Sequence, residues 1–94
     1  MKGKPNSKLR ELQKKSKEGG ICEKCQRKVD YITVDHIIPV WLLECLDNFV
    51  EIANNDEENF RLICQPCNKL KGNLIDFTDK RTAHLILKYI TPYL

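Results

Sequence analysis

Apolar positions along the chain come in short clusters whose period changes. Residues 7–17 are polar apart from Leu9 and Leu12, with Asn6 or Ser7 as a cap and Gly19-Gly20 as a stop. This predicts a helix with a thin packing face. Residues 29–38 turn β-branched and aromatic, and Tyr31-Ile32-Thr33-Val34 reads as a strand, with Pro39 closing the stretch. The run Val-Trp-Leu-Leu-Glu-Cys-Leu at 40–46 predicts a short helix or packed loop, stopped at Asp47-Asn48. The polar stretch 53–58 predicts a loop, and Phe60-Arg61-Leu62-Ile63 a second strand. Pro66 suits the first turn of a helix over 65–71 that Gly72 ends. Thr78 offers a cap for a last helix near 79–90, with Ile86, Tyr89, Ile90 and Tyr93 on one face. Trp41 and Cys45 are expected in the core, and His84 to be structural. There is no internal repeat or low-complexity linker.

Ninety-four residues make one domain with a modest core, and no apolar run approaches a membrane span. Cysteine spacing changes the picture. Cys22-x-x-Cys25 and Cys64-x-x-Cys67 each have the spacing that lets two thiolates of one turn reach a tetrahedral metal. The 38 residues between the pairs require a small folded unit between the knuckles. The alternative is a disulfide pair or buried thiols. The N-terminal Met1-Lys2-Gly3-Lys4-Pro5 is polar and basic with no apolar run, so an intracellular, reducing (cytoplasmic) setting is expected. Thiols stay free there, and a four-cysteine structural Zn²⁺ is the expectation.

The net charge of +3 hides an asymmetry. Residues 1–28 carry ten Lys/Arg against three Glu, a net +7, whereas residues 29–94 carry six against ten acids, a net −4. Such a basic segment suits a polyanion such as DNA or RNA, because phosphate contacts release counterions. Lys14 through Lys28, with Lys24, Arg27 and Lys28 among them, are candidate contacts, against the plainer reading of a solvated, partly disordered tail for the first few residues.

Val34-Asp35-His36-Ile37-Ile38-Pro39, followed by Asn-Phe-Arg-Leu-Ile-Cys-Gln-Pro-Cys-Asn-Lys-Leu-Lys-Gly from Asn59 to Gly72, resembles the His-Asn-His (HNH) endonuclease family with zinc-binding cysteine pairs. The family pattern is Asp-His-x-x-Pro, a later Asn just before a strand, and Cys-x-x-Cys-His near a Lys. The likeness runs from Cys22 to Gly72, about half the chain. Asn68 stands where the family usually has its last His, which makes this a His-Asn-Asn variant. The resemblance implies an α+β fold: a small ββα-metal (His-Me finger) hairpin–helix core laced by a Cys₄ zinc and flanked by helices. The implied layout is a basic helix or tail over 1–20, the core over 21–72 and a terminal helix over 73–94.

The implied chemistry is metal-dependent hydrolysis of DNA phosphodiesters. Asp35 and Asn68 offer hard oxygen ligands and leave positions for water and phosphate, as suits Mg²⁺ or Mn²⁺. His36 is the general base, because an imidazole can take a proton from water near neutral pH. Asp35 and His36 are neighbours, so in a straight strand they point to opposite sides, and a bend at 37–39 is needed to bring both to one site. Asn59 has a positioning role, pinning the loop that carries His36. Lys69 and Lys71 either touch the DNA backbone or are plain surface charge. Two further readings compete. One is a non-catalytic, zinc-stabilised DNA-binding module; the other, a protein-interaction zinc module, fits the basic first quarter less well. One active site cuts one strand, so a double-strand break needs two events or a homodimer. Sequence specificity is weak or supplied by a targeting partner protein.

Overall fold

The computed structural model describes residues 7–93. Helix α1 (Lys8–Ser16) opens it, with Ser7 as N-cap: its hydroxyl accepts from Arg10 N at 3.1 Å. Leu9 and Leu12 are half-buried and Ser16 is buried, because α1 packs across β3 and the later helix α3. The backbone N–H of Lys8 also donates to Asn55 Oδ1 at 3.1 Å. The basic segment is therefore part of the fold from residue 7 onward; Lys2 and Lys4 lie outside the described residues. Gly19 makes the turn out of α1 at φ +83°, where a Cβ would stand 2.3 Å from the carbonyl oxygen of Val29. Strands β1 (Gly20–Ile21) and β2 (Lys28–Val29) then pair antiparallel and carry the first cysteine pair between them.

Strand β3 (Ile32–His36) pairs antiparallel with β4 (Phe60–Cys64), with Asp35 opposite Arg61 and His36 opposite Phe60. The chain bends at Ile37 and Ile38. It then forms α2 (Val40–Leu43), α3 (Phe49–Asn55) and a 3₁₀ turn, Glu57–Asn59, before entering β4. Helix α4 (Gln65–Lys71) follows β4 directly, with Pro66 in its first turn and Gly72 at its end. β3, β4 and α4 form the expected ββα unit in an α+β fold with flanking helices. Helix α5 (Arg81–Ile90) buries Leu85 and Tyr89 against Ile37, Ile38, Leu43 and Ile52. A second, smaller cluster gathers Ile63 with Cys22 and Cys64.

Several expectations are corrected. Residues 53–55 are the end of α3, not a loop; Phe49, Ile52 and Ala53 pack on the core at helical spacing. Asp47-Asn48 does end the 40–46 stretch, and α3 follows it directly. Thr78 does not cap α5: its hydroxyl and amide bond Asp76, and the helix begins two residues later than expected, at Arg81. Trp41 and Cys45 are exposed, because α2 turns only Leu43 fully inward. Tyr93 is exposed as well.

Asn59 closes the long β3–β4 connection. It is fully buried; its Oδ1 accepts from Ile38 N at 2.7 Å and its Nδ2 donates to Ile38 O at 3.1 Å. Its own carbonyl accepts from Ile37 N at 2.8 Å. The side chain thus continues the ladder past His36, where no strand partner remains. Asn59→Ala orphans two backbone groups of Ile38, each costing about 1–3 kcal/mol. The expected loss is about 2–4 kcal/mol in urea denaturation; a loss under about 0.5 kcal/mol would show that the side chain pins nothing.

Candidate functional site

The two cysteine pairs meet. One Sγ from each of Cys22, Cys25, Cys64 and Cys67 lies within 4.8 Å of the others, and all four thiols are free. The β1–β2 ribbon presents the first pair; the end of β4 and the first turn of α4 present the second. Gln26, at φ +66°, turns the first knuckle, and the N–H groups of Lys24 and Cys25 both donate to Cys22 Sγ at 3.4 Å. Burial pushes the Cys22 thiol up, but the backbone N–H groups of Cys25, Cys64 and Lys24 outweigh it and bring it down to about 6. Cys67 is pushed up to about 12, first by its contact with Cys64. Four clustered sulfurs resist ionising together, and a cation removes that conflict. Zn–S bonds of about 2.3 Å give a tetrahedron edge of about 3.8 Å. Cys25 Sγ and Cys64 Sγ are 3.8 Å apart. The donor set and spacing fit a structural zinc ion.

The Asp-His element lies at the other end of β3. Both residues line one cleft of about 330 Å³, together with Trp41, Asn68, Lys71 and Asn73, although they sit in the regular ladder of β3 and the bend comes after them. His36 Nε2 stands 2.8 Å from the carbonyl oxygen of Ala53. A carbonyl only accepts, so Nε2 carries the proton, and in the neutral ring Nδ1 keeps the lone pair. The ring meets Phe60 edge to face, with centroids 5.5 Å apart. Asn68, on α4, donates from Nδ2 to Thr33 Oγ1 at 2.8 Å, which leaves its Oδ1 as the acceptor atom. Asn59 is not in the cleft but beneath it.

Asp35 is 7% exposed, and both its oxygens face cations. Lys71 Nζ donates to Oδ1 at 3.0 Å and Arg61 to Oδ2 at 3.2 Å. Lys71 also reaches the His36 carbonyl at 2.9 Å. Arg61 is 3% exposed and bonds Asp76 at 3.0 Å and Asp79 at 3.2 Å as well; its Nε has no partner. Burial alone would lower the guanidinium, and the contacts with Asp76, Asp35 and Asp79 raise it instead. Burial raises Asp76, but Thr78, Lys24 and Arg61 together hold it well below the usual carboxylate range. Asp79 is lowered to about 2, chiefly by Arg81. Arg61, Asp76, Asp79 and Arg81 escaped the sequence reading, although a lone arginine inside an apolar strand needs buried anions. A carboxylate and an amide oxygen on facing elements suit a hard divalent cation. An ion taking Asp35 Oδ1 would have to displace Lys71.

The remaining cations differ in setting. Lys28 and Lys69 are exposed. Lys24 is tied to Asp76 at 2.9 Å and Thr78 at 2.6 Å, and Arg27 Nε lies 3.5 Å from Cys25 Sγ. Lys71 points inward. His84 is exposed and stands 3.7 Å from Glu58.

The family model for HNH endonuclease matches residues 22–74, from the first knuckle through α4. The chain belongs to the HNH endonuclease family. Comparison with curated proteins and with solved structures finds no significant match. Membership supports a nuclease or DNA-binding role, and four grouped cysteines are what a zinc-binding HNH domain has. Among the described residues no helix is long and apolar enough to cross a membrane.

Purified protein is expected to carry one zinc per chain by elemental analysis. Cys67→Ala should lose the ion and most of the cooperative thermal transition, since structural zinc contributes roughly 10–16 kcal/mol of apparent binding free energy. Metal-free wild type with an unchanged melting temperature would sink the assignment.

Proposed function

We propose that the cleft hydrolyses DNA phosphodiester bonds. The observation that carries this is the convergence of Asp35, His36 and Asn68 on one cleft of an HNH-family chain. His36 accepts the proton of the attacking water at Nδ1, while the Nε2–H bond to Ala53 O fixes the tautomer and the ring direction. Asp35 and Asn68 would hold a Mg²⁺ or Mn²⁺ ion. When bound, that ion supplies positive charge for the phosphate and the departing oxygen. Asn59 acts through Ile38 and is a positioning residue. The exposed Lys24, Arg27, Lys28 and Lys69 supply attraction for the DNA backbone. Lys71 orients Asp35.

One observation favours a second reading. Lys71 and Arg61 already satisfy both oxygens of Asp35, as a zinc-stabilised DNA-binding module with a purely structural Asp35 would have them. Supercoiled plasmid with Mg²⁺ or Mn²⁺ separates the two. The nuclease nicks it, and His36→Ala slows nicking by about 10²–10⁴-fold. A binding module shifts the plasmid on a gel and leaves it closed.

Asn68 gives a further handle. An oxygen-only pair favours hard cations, and Asn68→His adds an imidazole. The expected result is a shift in metal preference toward Ni²⁺, Co²⁺ or Zn²⁺ with cleavage retained. An unchanged order of metal preference would remove Asn68 from the ligand set.

A further inference from the structure

Two large aromatic side chains stand unburied at either end of β3, and neither has a structural task that explains its exposure. Trp41 is 51% exposed on the wall of the cleft. Its Nε1 donates to the Asn73 carbonyl at 2.8 Å, so the indole is held in place while much of the ring stays open. Tyr31 is 52% exposed just before β3 begins. It lines a second groove, of about 440 Å³, with Arg10 and Lys14 of α1, Lys17 just beyond its end, Thr33 and Val34. Among the described residues none of these three cations forms an ion pair. Val34 lines both the groove and the cleft, so the two adjoin at that residue. Thr33 joins them from below, because its hydroxyl receives the Asn68 amide.

From Tyr31 to His36 is five residues, about 17 Å of strand. That path has cations at one end, an aromatic near each end and His36 beside the second. A DNA duplex offers such a path only its phosphates, since its base faces are covered by each other. An unpaired strand offers phosphates to the cations and open base faces to the rings, the combination used by single-strand binding surfaces. We propose that the cleft takes an unpaired DNA strand, with bases stacked on Tyr31 and Trp41 and its backbone held by Arg10, Lys14 and Lys17. The proposal rests on the nuclease reading for the fate of the strand, but the binding it describes stands or falls separately.

Trp41 is the chain's one tryptophan, so its emission reports stacking directly. The experiment titrates oligo(dT), and a duplex of the same length, into His36→Ala protein with no added divalent metal. Tryptophan emission is read together with the anisotropy of a labelled strand. Oligo(dT) should quench the emission and bind more tightly than the duplex, which should leave emission unchanged. Tyr31→Ala should weaken oligo(dT) binding by roughly 5- to 100-fold, and Trp41→Phe by much less than Trp41→Ala. Tyr31 is outside the core, so Tyr31→Ala with an unchanged melting temperature keeps the test valid should a Trp41 variant unfold. Arg10→Gln with Lys14→Gln should lower the salt slope by about 1.4. Saturation with oligo(dT) and no change in emission overturns the proposal, as does equal or tighter duplex binding. Wild type that nicks plasmid through His36 without quenching keeps the nuclease reading and loses the strand site. Quenching by oligo(dT) without cleavage of any DNA does the reverse.

Discussion

The buried guanidinium of Arg61 is the constraint around which the rest is arranged. A charge taken out of water costs several kcal/mol unless anions meet it. Here Asp35 meets it from the facing strand, and Asp76 and Asp79 from the segment before α5. Those carboxylates draw in further cations: Lys71 on Asp35, Lys24 on Asp76 and Arg81 on Asp79, with Glu23 completing the set. Four acids and four bases thus balance across β3, β4, α4, α5 and the first knuckle. A one-residue slip of β3 against β4 would break the Asp35–Arg61 pairing and leave a buried charge alone. The register that serves the ion pairs is also the one that sets Asp35 at the cleft.

Two other ties act on the same hairpin from opposite ends. At one end the four cysteines fasten the β1–β2 ribbon to the junction of β4 and α4, which fixes where α4 starts and so where Asn68 falls. At the other, Asn59 substitutes side-chain hydrogen bonds for the missing strand pairing and holds the bend at Ile37 and Ile38. The bend follows directly on Asp35 and His36, which both line the one cleft. The Ala53 carbonyl from α3 then orients His36. The cleft is therefore assembled by groups that do not line it.

Much of this was legible beforehand. The cysteine pairs, the Asp-His-x-x-Pro element, β3, β4 and α4 are written in local spacing, and each falls within a residue or two of its expected bounds. Asn59, expected just before the second strand, hydrogen-bonds both backbone groups of Ile38. What failed was burial inferred from apolarity alone. Trp41 and Cys45 sit in an apolar run, yet a four-residue helix can bury only one side of itself, and Leu43 takes it. Helix α3 was hidden because Asn54 to Glu58 are polar, although Phe49, Ile52 and Ala53 carry the helical period. The Arg61 network was hidden for a different reason. Its members are spread from Glu23 to Arg81, and only the fold brings them together.

As proposed above, the His36 imidazole would take the proton of the attacking water. Chemical rescue tests it most directly. A His36→Gly variant leaves a space where the ring stood, and added imidazole can occupy it as a free base. Nicking by this variant is expected to be slow without imidazole, and its rate to rise in proportion to the unprotonated imidazole concentration at each pH. A His36→Gly variant that nicks plasmid as fast as wild type, with no response to imidazole, would contradict it.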